Sequence, residues 1–221
     1  VVFASSIAVY GSPTQAEVDE DTTRLTPSHD VKSEYRGTDS IRAYGRSKVK
    51  AEDAIAAACR NTHFAVVRPT VVADIDDIAN AVNMNPLVKS IGAKRHTHFV
   101  YIADVAAAMI WLMERGLSQA ADKPGRVETF NLSDETGYDT SYRGLYNRLE
   151  ALSGRSGLGA KLAGPLLVYD LFDRLKSKSL SRGLPLGRCV FPATRLHAAG
   201  YSHPFGMAMA ERLAADRIRG S

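Results

Sequence analysis

Cysteine is scarce in this sequence: Cys59 and Cys189 are the two present, far apart and in no metal-ligand spacing. A cysteine-built metal site is excluded on that ground, and a reducing, cytoplasmic setting is expected. No uninterrupted apolar run is long enough to cross a bilayer, which excludes stable insertion as a transmembrane helix. The opening Val1-Val2-Phe3-Ala4-Ser5-Ser6 has neither a basic leader nor a cleavage pattern, so no signal peptide is expected there. Charge of one sign is in small excess, +4 from 28 basic and 24 acidic residues. The basic residues are spread along the chain with a modest surplus near 174–188. Nucleic acid needs a concentrated basic face and is not an expected partner. Internal repeats and low-complexity tracts are absent as well. What remains is ordinary globular material, 221 residues with 45% hydrophobic and 24% charged, enough for one large domain or one with a satellite.

Short apolar runs at residues 1–4 and 64–67 read as strands buried on both faces, the mark of a parallel sheet. Arg68-Pro69 is expected to halt the second, because proline lacks the amide that a central strand needs. Residues 99–102 and 127–132 read as further strands, and 70–97 as loop and short helix. Helices are expected over about 105–117, with Asp104 as its cap, and over 140–152, 166–176 and 205–218. The β-α-β-α order of the first part points to an α/β sheet domain over 1–137. Residues 138–221 are read as a smaller, mostly helical lobe. Asp74, Asp76 and Asp77 have the composition of a hard-cation site, but a solvated loop is the simpler reading. Gly154 to Lys161 imitates a phosphate loop, yet its lysine falls one place late and a helix precedes it, so it is read as a linker. Residues 162–180 mix Leu, Val, Tyr and Phe with basic side chains; packing on the sheet domain is expected over a membrane-surface role.

The stretch that organises the chain is Tyr44-Gly45-Arg46-Ser47-Lys48. Tyrosine and lysine four apart share one face of a helix, a turn from each other. Asp39 and Ser40 can cap that helix, and Val49 to Arg60 is alanine-rich without proline. An ammonium beside a phenol favours the phenolate, so the pair has acid–base potential. In isolation the same spacing is no more than a helix-face aromatic and a solvated charge. Ser5-Ser6 at the end of the first strand changes that weight, since a doubly wound sheet places ligands beyond the carboxyl ends of its strands. With Arg68-Pro69 closing the next strand, all these residues converge on one crevice.

Ser5-Ser6-Ile7-Ala8-Val9-Tyr10-Gly11, the Tyr44 to Lys48 segment with Ala51-Glu52, Val67-Arg68-Pro69 and Phe99 to Ala106 occur in that order. Together they resemble the extended short-chain dehydrogenase/reductase superfamily, which contains nucleotide-sugar epimerases, dehydratases and related reductases. The likeness covers about residues 1–135 and includes the loop from Val18 to Pro27; Ala199-Gly200-Tyr201 is similar more weakly. It implies a partial Rossmann-like doubly wound parallel sheet carrying NAD or NADP. It also implies Tyr44 as general acid–base, Lys48 on the nicotinamide ribose and Ser6 on the substrate oxygen. Ser5, Tyr44, Lys48 and Pro69-Thr70-Val71-Val72 would lie along the cofactor. The implied activity is oxidation–reduction, epimerisation or dehydration at a hydroxyl or carbonyl carbon of a nucleotide sugar or related alcohol.

Three features depart from that pattern. No Tyr-Gly-Pro follows Pro69, residues 28–42 look inserted, and the glycine-rich first strand has no counterpart here. The expectation is therefore that a longer chain or a second polypeptide supplies the N-terminal half of the dinucleotide domain. A homodimer is expected through the Tyr44 helix, where Ala54, Ala56, Ala57 and Ala58 permit close contact. The rival reading is a non-catalytic structural or assembly subunit that keeps the fold.

Overall fold

A computed structural model describes residues 1–26, 36–119, 125–134, 139–159, 163–177 and 181–220. Strands β1 (Val2–Ala4), β2 (Phe64–Pro69) and β5 (Val127–Leu132) form a parallel sheet in the order β1-β2-β5. Ala4 pairs with Val67, and Val67 in turn with Phe130. β2 is central and buried from Ala65 to Pro69, as its unbroken apolar run requires. β1 is only half-buried, and among the described residues its far edge has no partner strand.

β2 ends at Pro69, as expected, with Arg68 and Pro69 themselves still in register opposite Asn131 and Leu132, and the next amide, that of Thr70, donates to Leu132 O at 3.0 Å. One expectation about strands needs correction. The stretch 70–97 is not only loop and helix, because it opens with β3 (Val71–Ala73), which pairs in parallel with β4 (Phe99–Tyr101) in a separate two-stranded sheet. Three residues with two exposed valines give too short an alternation to be read as a strand. The 99–102 run accordingly lies outside the main sheet.

Helix α1 (Asp39–Ala58) crosses from β1 to β2. Its N-cap is Thr38, one residue before the expected caps, because the Thr38 hydroxyl accepts the Ile41 amide. Short helices α2 (Ile75–Asn80) and α3 (Pro86–Gly92) follow, then α4 (Ile102–Gln119). Asp104 is not the cap of α4 but sits inside its first turn, fully buried. Its carboxylate accepts the Phe205 and Gly206 amides at 3.1 and 2.8 Å, so it caps the last helix, α8 (Gly206–Arg219). Between these come α5 (Tyr142–Ser153), α6 (Leu166–Ser177) and α7 (Thr194–Ala198).

The core has a sheet part, a helical part and a third cluster of Ile7, Val9, Tyr10, Val18, Val49 and Phe191, and each joins residues far apart in the sequence. Leu196 and Tyr201 return to the sheet to pack with Val67, Leu112, Phe130 and Leu132. Ala73 and Ile78 join Leu145, Tyr146, Leu149, Met207 and Ile218 in the helical core. Arg148 clamps Glu211 with two hydrogen bonds, 2.7 and 2.9 Å, locking α5 to α8.

The aspartate cluster and the glycine-rich stretch resolve into ordinary local chemistry. Asp74 and Asp77 form a reciprocal capping box on α2, and Asp76 faces Arg217 at 3.2 Å. Among the described residues no cluster of His, Cys, Asp or Glu is arranged to hold a metal. Gly154 is the left-handed C-cap of α5, and the amides of Leu158 and Gly159 point at the Glu150 carboxylate. A carboxylate already occupies the place a phosphate would need; Ala160 and Lys161 lie outside the described residues. Pro27 and most of the supposed insertion at 28–42 lie outside them too.

Candidate active site

The carboxyl end of β1 runs straight into a turn of 3₁₀ helix, Ile7–Tyr10, whose N-cap is Ser6. The Ser6 hydroxyl oxygen accepts the Ala8 amide at 3.2 Å, which leaves its proton free to be donated elsewhere. α1 is seated against this turn by Gly45. A Cβ there would come within 2.6 Å of the Ala8 carbonyl oxygen and 3.3 Å of Leu25 Cδ1. Sequence inspection passes over Gly45, although a glycine between Tyr44 and Lys48 in an otherwise good helix is itself a signal of close approach.

Gly45→Ala sets two effects against each other. In an open helix the change gains up to ~1 kcal/mol of propensity. Here the clash is with backbone, which cannot swing aside, and overpacking costs about 1–3 kcal/mol. The expected result is a lower denaturant midpoint; a midpoint at or above that of the parent protein would show the contact to be soft.

Lys48 is half-buried, and its Nζ donates to the Ala4 carbonyl at 2.8 Å, at the very end of β1. The same ammonium stands 5.6 Å from the centre of the Tyr44 ring and 5.2 Å from that of Phe3. Tyr44 is 47% exposed, and its hydroxyl has no hydrogen-bond partner among the described residues. The structure thus brings Lys48 to the β1 terminus and Tyr44 beside Lys48, on a helix that touches the Ser6 turn.

Ser5 goes elsewhere. Its hydroxyl donates to Glu52 Oε1 at 2.5 Å, and its amide to Val67 O. Glu52 lies one turn beyond Lys48 on α1 and is 5% exposed. Arg68 grips it with Nε at 3.0 Å and Nη2 at 2.7 Å, and Arg24 adds a bond of 2.8 Å. Arg68 also donates to the Tyr10 hydroxyl at 2.8 Å, and Tyr10 passes the chain on to Asn131 at 2.7 Å. Burial by itself would raise the Glu52 carboxyl, but the hydrogen bonds and charge of Arg68, with Ser5 and Arg24, outweigh it and hold the group below its ordinary range. Burial pushes the Tyr10 phenol up to about 12 despite Arg68 beside it. This network ties α1, the Ser5-Ser6 turn and β2 into one rigid base under Lys48. Glu52 could have been found from sequence, since Tyr44, Lys48 and Glu52 repeat at four-residue spacing; its partners are remote in sequence and could not.

Thr70 is buried, with its amide on Leu132 O. Val71 and Val72 are exposed at 44% and 40% and line a 310 Å³ recess with Met84, Phe99 and Tyr142. Pro69 is thus the last paired residue of β2 and Thr70 stays bonded to β5, while Val71 and Val72 turn toward the helical part. A larger groove, 1460 Å³, is lined by Asp74, Tyr101, Arg155 and Arg217 among others, and by none of Ser6, Tyr44 or Lys48.

By sequence, no family model matches the chain and no curated protein is significantly similar to it. Solved structures do match by shape. A UDP-glucose 4-epimerase aligns with 97% of this chain at 14% identity and a TM-score of 0.62. UDP-glucuronic acid 4-epimerase from Bacillus cereus in complex with NAD aligns with 99% at 15% identity and a TM-score of 0.59. RMD from Pseudomonas aeruginosa complexed with NADPH aligns with 100% at 15% identity and a TM-score of 0.56. The chain is a Rossmann-like α/β fold of the kind these enzymes share, with a parallel sheet and a helical lobe. It spans 63%, 61% and 66% of the length of those three structures.

Proposed function

We propose that this chain is the catalytic part of an NAD(P)-dependent oxidoreductase, epimerase or dehydratase acting on a hydroxyl or carbonyl carbon of a nucleotide sugar or related alcohol in the cytoplasm. The observation that carries the reading is the Lys48 ammonium, fixed on the Ala4 carbonyl at the carboxyl end of β1 and 5.6 Å from the Tyr44 ring. An ammonium has three donors, and one is used. The remaining two suit the vicinal hydroxyls of a nicotinamide ribose, so the residues present fit that end of the cofactor.

The bound nicotinamide would supply the hydride acceptor and donor. Tyr44 moves a proton between its hydroxyl and the substrate oxygen, and Ser6 donates to the same oxygen and fixes its position. Lys48 holds the ribose and keeps positive charge beside the phenol. Pro69, Thr70, Val71 and Val72 border the nicotinamide, and Ser5 supports that border from beneath through Glu52. Residues outside this sequence complete the dinucleotide domain, from the same chain or a second polypeptide. The edge of β1, unpaired among the described residues, and the exposed Ile110, Met113 and Leu117 on α4 support that reading. The homodimer is proposed through α1, where exposed Ala54, Ala57 and Ala58 share one face and Ala56, also exposed, points away from it.

Lys48→Ala in the full-length protein tests the reading directly. Loss of charge-assisted hydrogen bonds, worth about 1.5–3 kcal/mol, weakens NAD(H) or NADP(H) binding by about 10- to 100-fold in a fluorescence titration. Unchanged affinity would remove Lys48 from the cofactor site. A non-catalytic subunit that keeps the fold, with or without bound nucleotide, would show no turnover in either form.

A further inference from the structure

Helix α6 presents an apolar face that nothing in the described structure covers. Leu167, Val168, Leu171, Phe172 and Leu175 are all exposed, Leu167 by 77% and Leu175 by 70%. Their spacing, i, i+1, i+4, i+5 and i+8, places them in one continuous stripe along a twelve-residue helix. A contiguous stripe of large apolar side chains is an interaction surface rather than the scatter common on globular proteins. α3, against which α6 packs, exposes Leu87 and Val88 as well.

The charges of α6 say what the stripe meets. Both acidic residues face the protein, where Asp170 pairs with Arg188 at 2.5 Å and Asp173 with Arg36 at 3.1 Å. Buried Tyr169 lies on the same inner side, and Arg42 of α1 reaches the Ser177 carbonyl at 3.2 Å. The inner side is therefore pinned, and the orientation of the outer face is fixed. Arg174 and Lys176 flank the apolar stripe on either side, both exposed and neither in an ion pair among the described residues. From 174 to 188 the sequence holds five basic residues and no acidic one.

We propose that α6 docks this protein on an anionic membrane surface, with its leucines among the acyl chains and Arg174 and Lys176 on the lipid phosphates. An apolar face with basic flanks is the pattern of a helix lying in the plane of the interface. A second copy of the chain is the weaker occupant: a two-fold contact would set the same basic rim against itself with no carboxylate to neutralise it. Among the described residues no helix is long and apolar enough to cross a membrane, so attachment is peripheral.

The test is flotation of the full-length protein with phosphatidylcholine vesicles, with and without phosphatidylglycerol. Binding is expected to the anionic vesicles and to weaken at high salt. Each basic residue near such a surface contributes about 1 kcal/mol, or fivefold, so Arg174→Gln with Lys176→Gln lowers binding by about 25-fold. Leu171→Glu with Leu175→Glu, on exposed positions that leave the fold intact, abolishes it. Binding that survives the leucine pair, or no binding at low salt, overturns the proposal. So does a dimer in solution that the leucine pair dissociates, with no partition to either vesicle.

Discussion

Replacing Tyr44 with phenylalanine in the full-length protein is expected to lower turnover by about 10²–10⁴-fold, the range over which a positioned acid–base acts. The change removes one oxygen atom from a side chain already 47% exposed. That oxygen holds no hydrogen bond to a described residue, so the melting temperature stays within a degree or two and nicotinamide affinity is retained. The signature is thus a fall in kcat with fold and cofactor binding unchanged. Normal turnover would take Tyr44 out of the mechanism, and a parallel loss of stability would make it a structural residue. Ser6→Ala is a poorer probe, because Ser6 also caps the turn that follows it, and the two roles would fall together.

Arg68→Met is expected to cost about 3–5 kcal/mol of stability, because it strips the main partner from a buried carboxylate. Arg24 and Ser5 remain on Glu52, which places the expectation at the lower end of that range. The effect carries a pH signature. Glu52 titrates lower in the folded protein than in the unfolded chain. Its contribution is present above the ordinary glutamate range and is lost as pH falls through the lower folded value. The gap between parent and variant is accordingly widest near neutrality and narrows in acid, as urea denaturation at both pH values will read. An equal gap at both would assign the loss to the packing of the Arg68 stem, not its charge.

Helices α5, α6 and α8 are legible because each has a full period of pattern and a clear boundary residue, and β5 reads as a strand although its alternation is less clean. The parallel sheet follows from apolar runs at β1 and β2. β3 is not legible, since three residues cannot establish a period. The role of Asp104 is misread because a helix-start aspartate looks the same whether it caps its own helix or one a hundred residues away. Tyr44 and Lys48 stand out through spacing, whereas Glu52, Arg68, Tyr10 and Asn131 form a network only once β2 and β5 lie side by side. Local signals find helices and paired side chains; the polar base beneath the candidate site is a product of topology.

The bonds of Asp104 to Phe205 and Gly206 join residues 101 and 102 positions apart, and Arg36 reaches Gly183 across 147. Contacts of such range are closed late, after the entropy of long loops has been lost. During synthesis α4 leaves the ribosome with a carboxylate that has no amides to receive it until the segment carrying α8 emerges. The end of α4 that holds Asp104 therefore gains these bonds only once residues 205 and 206 have been made.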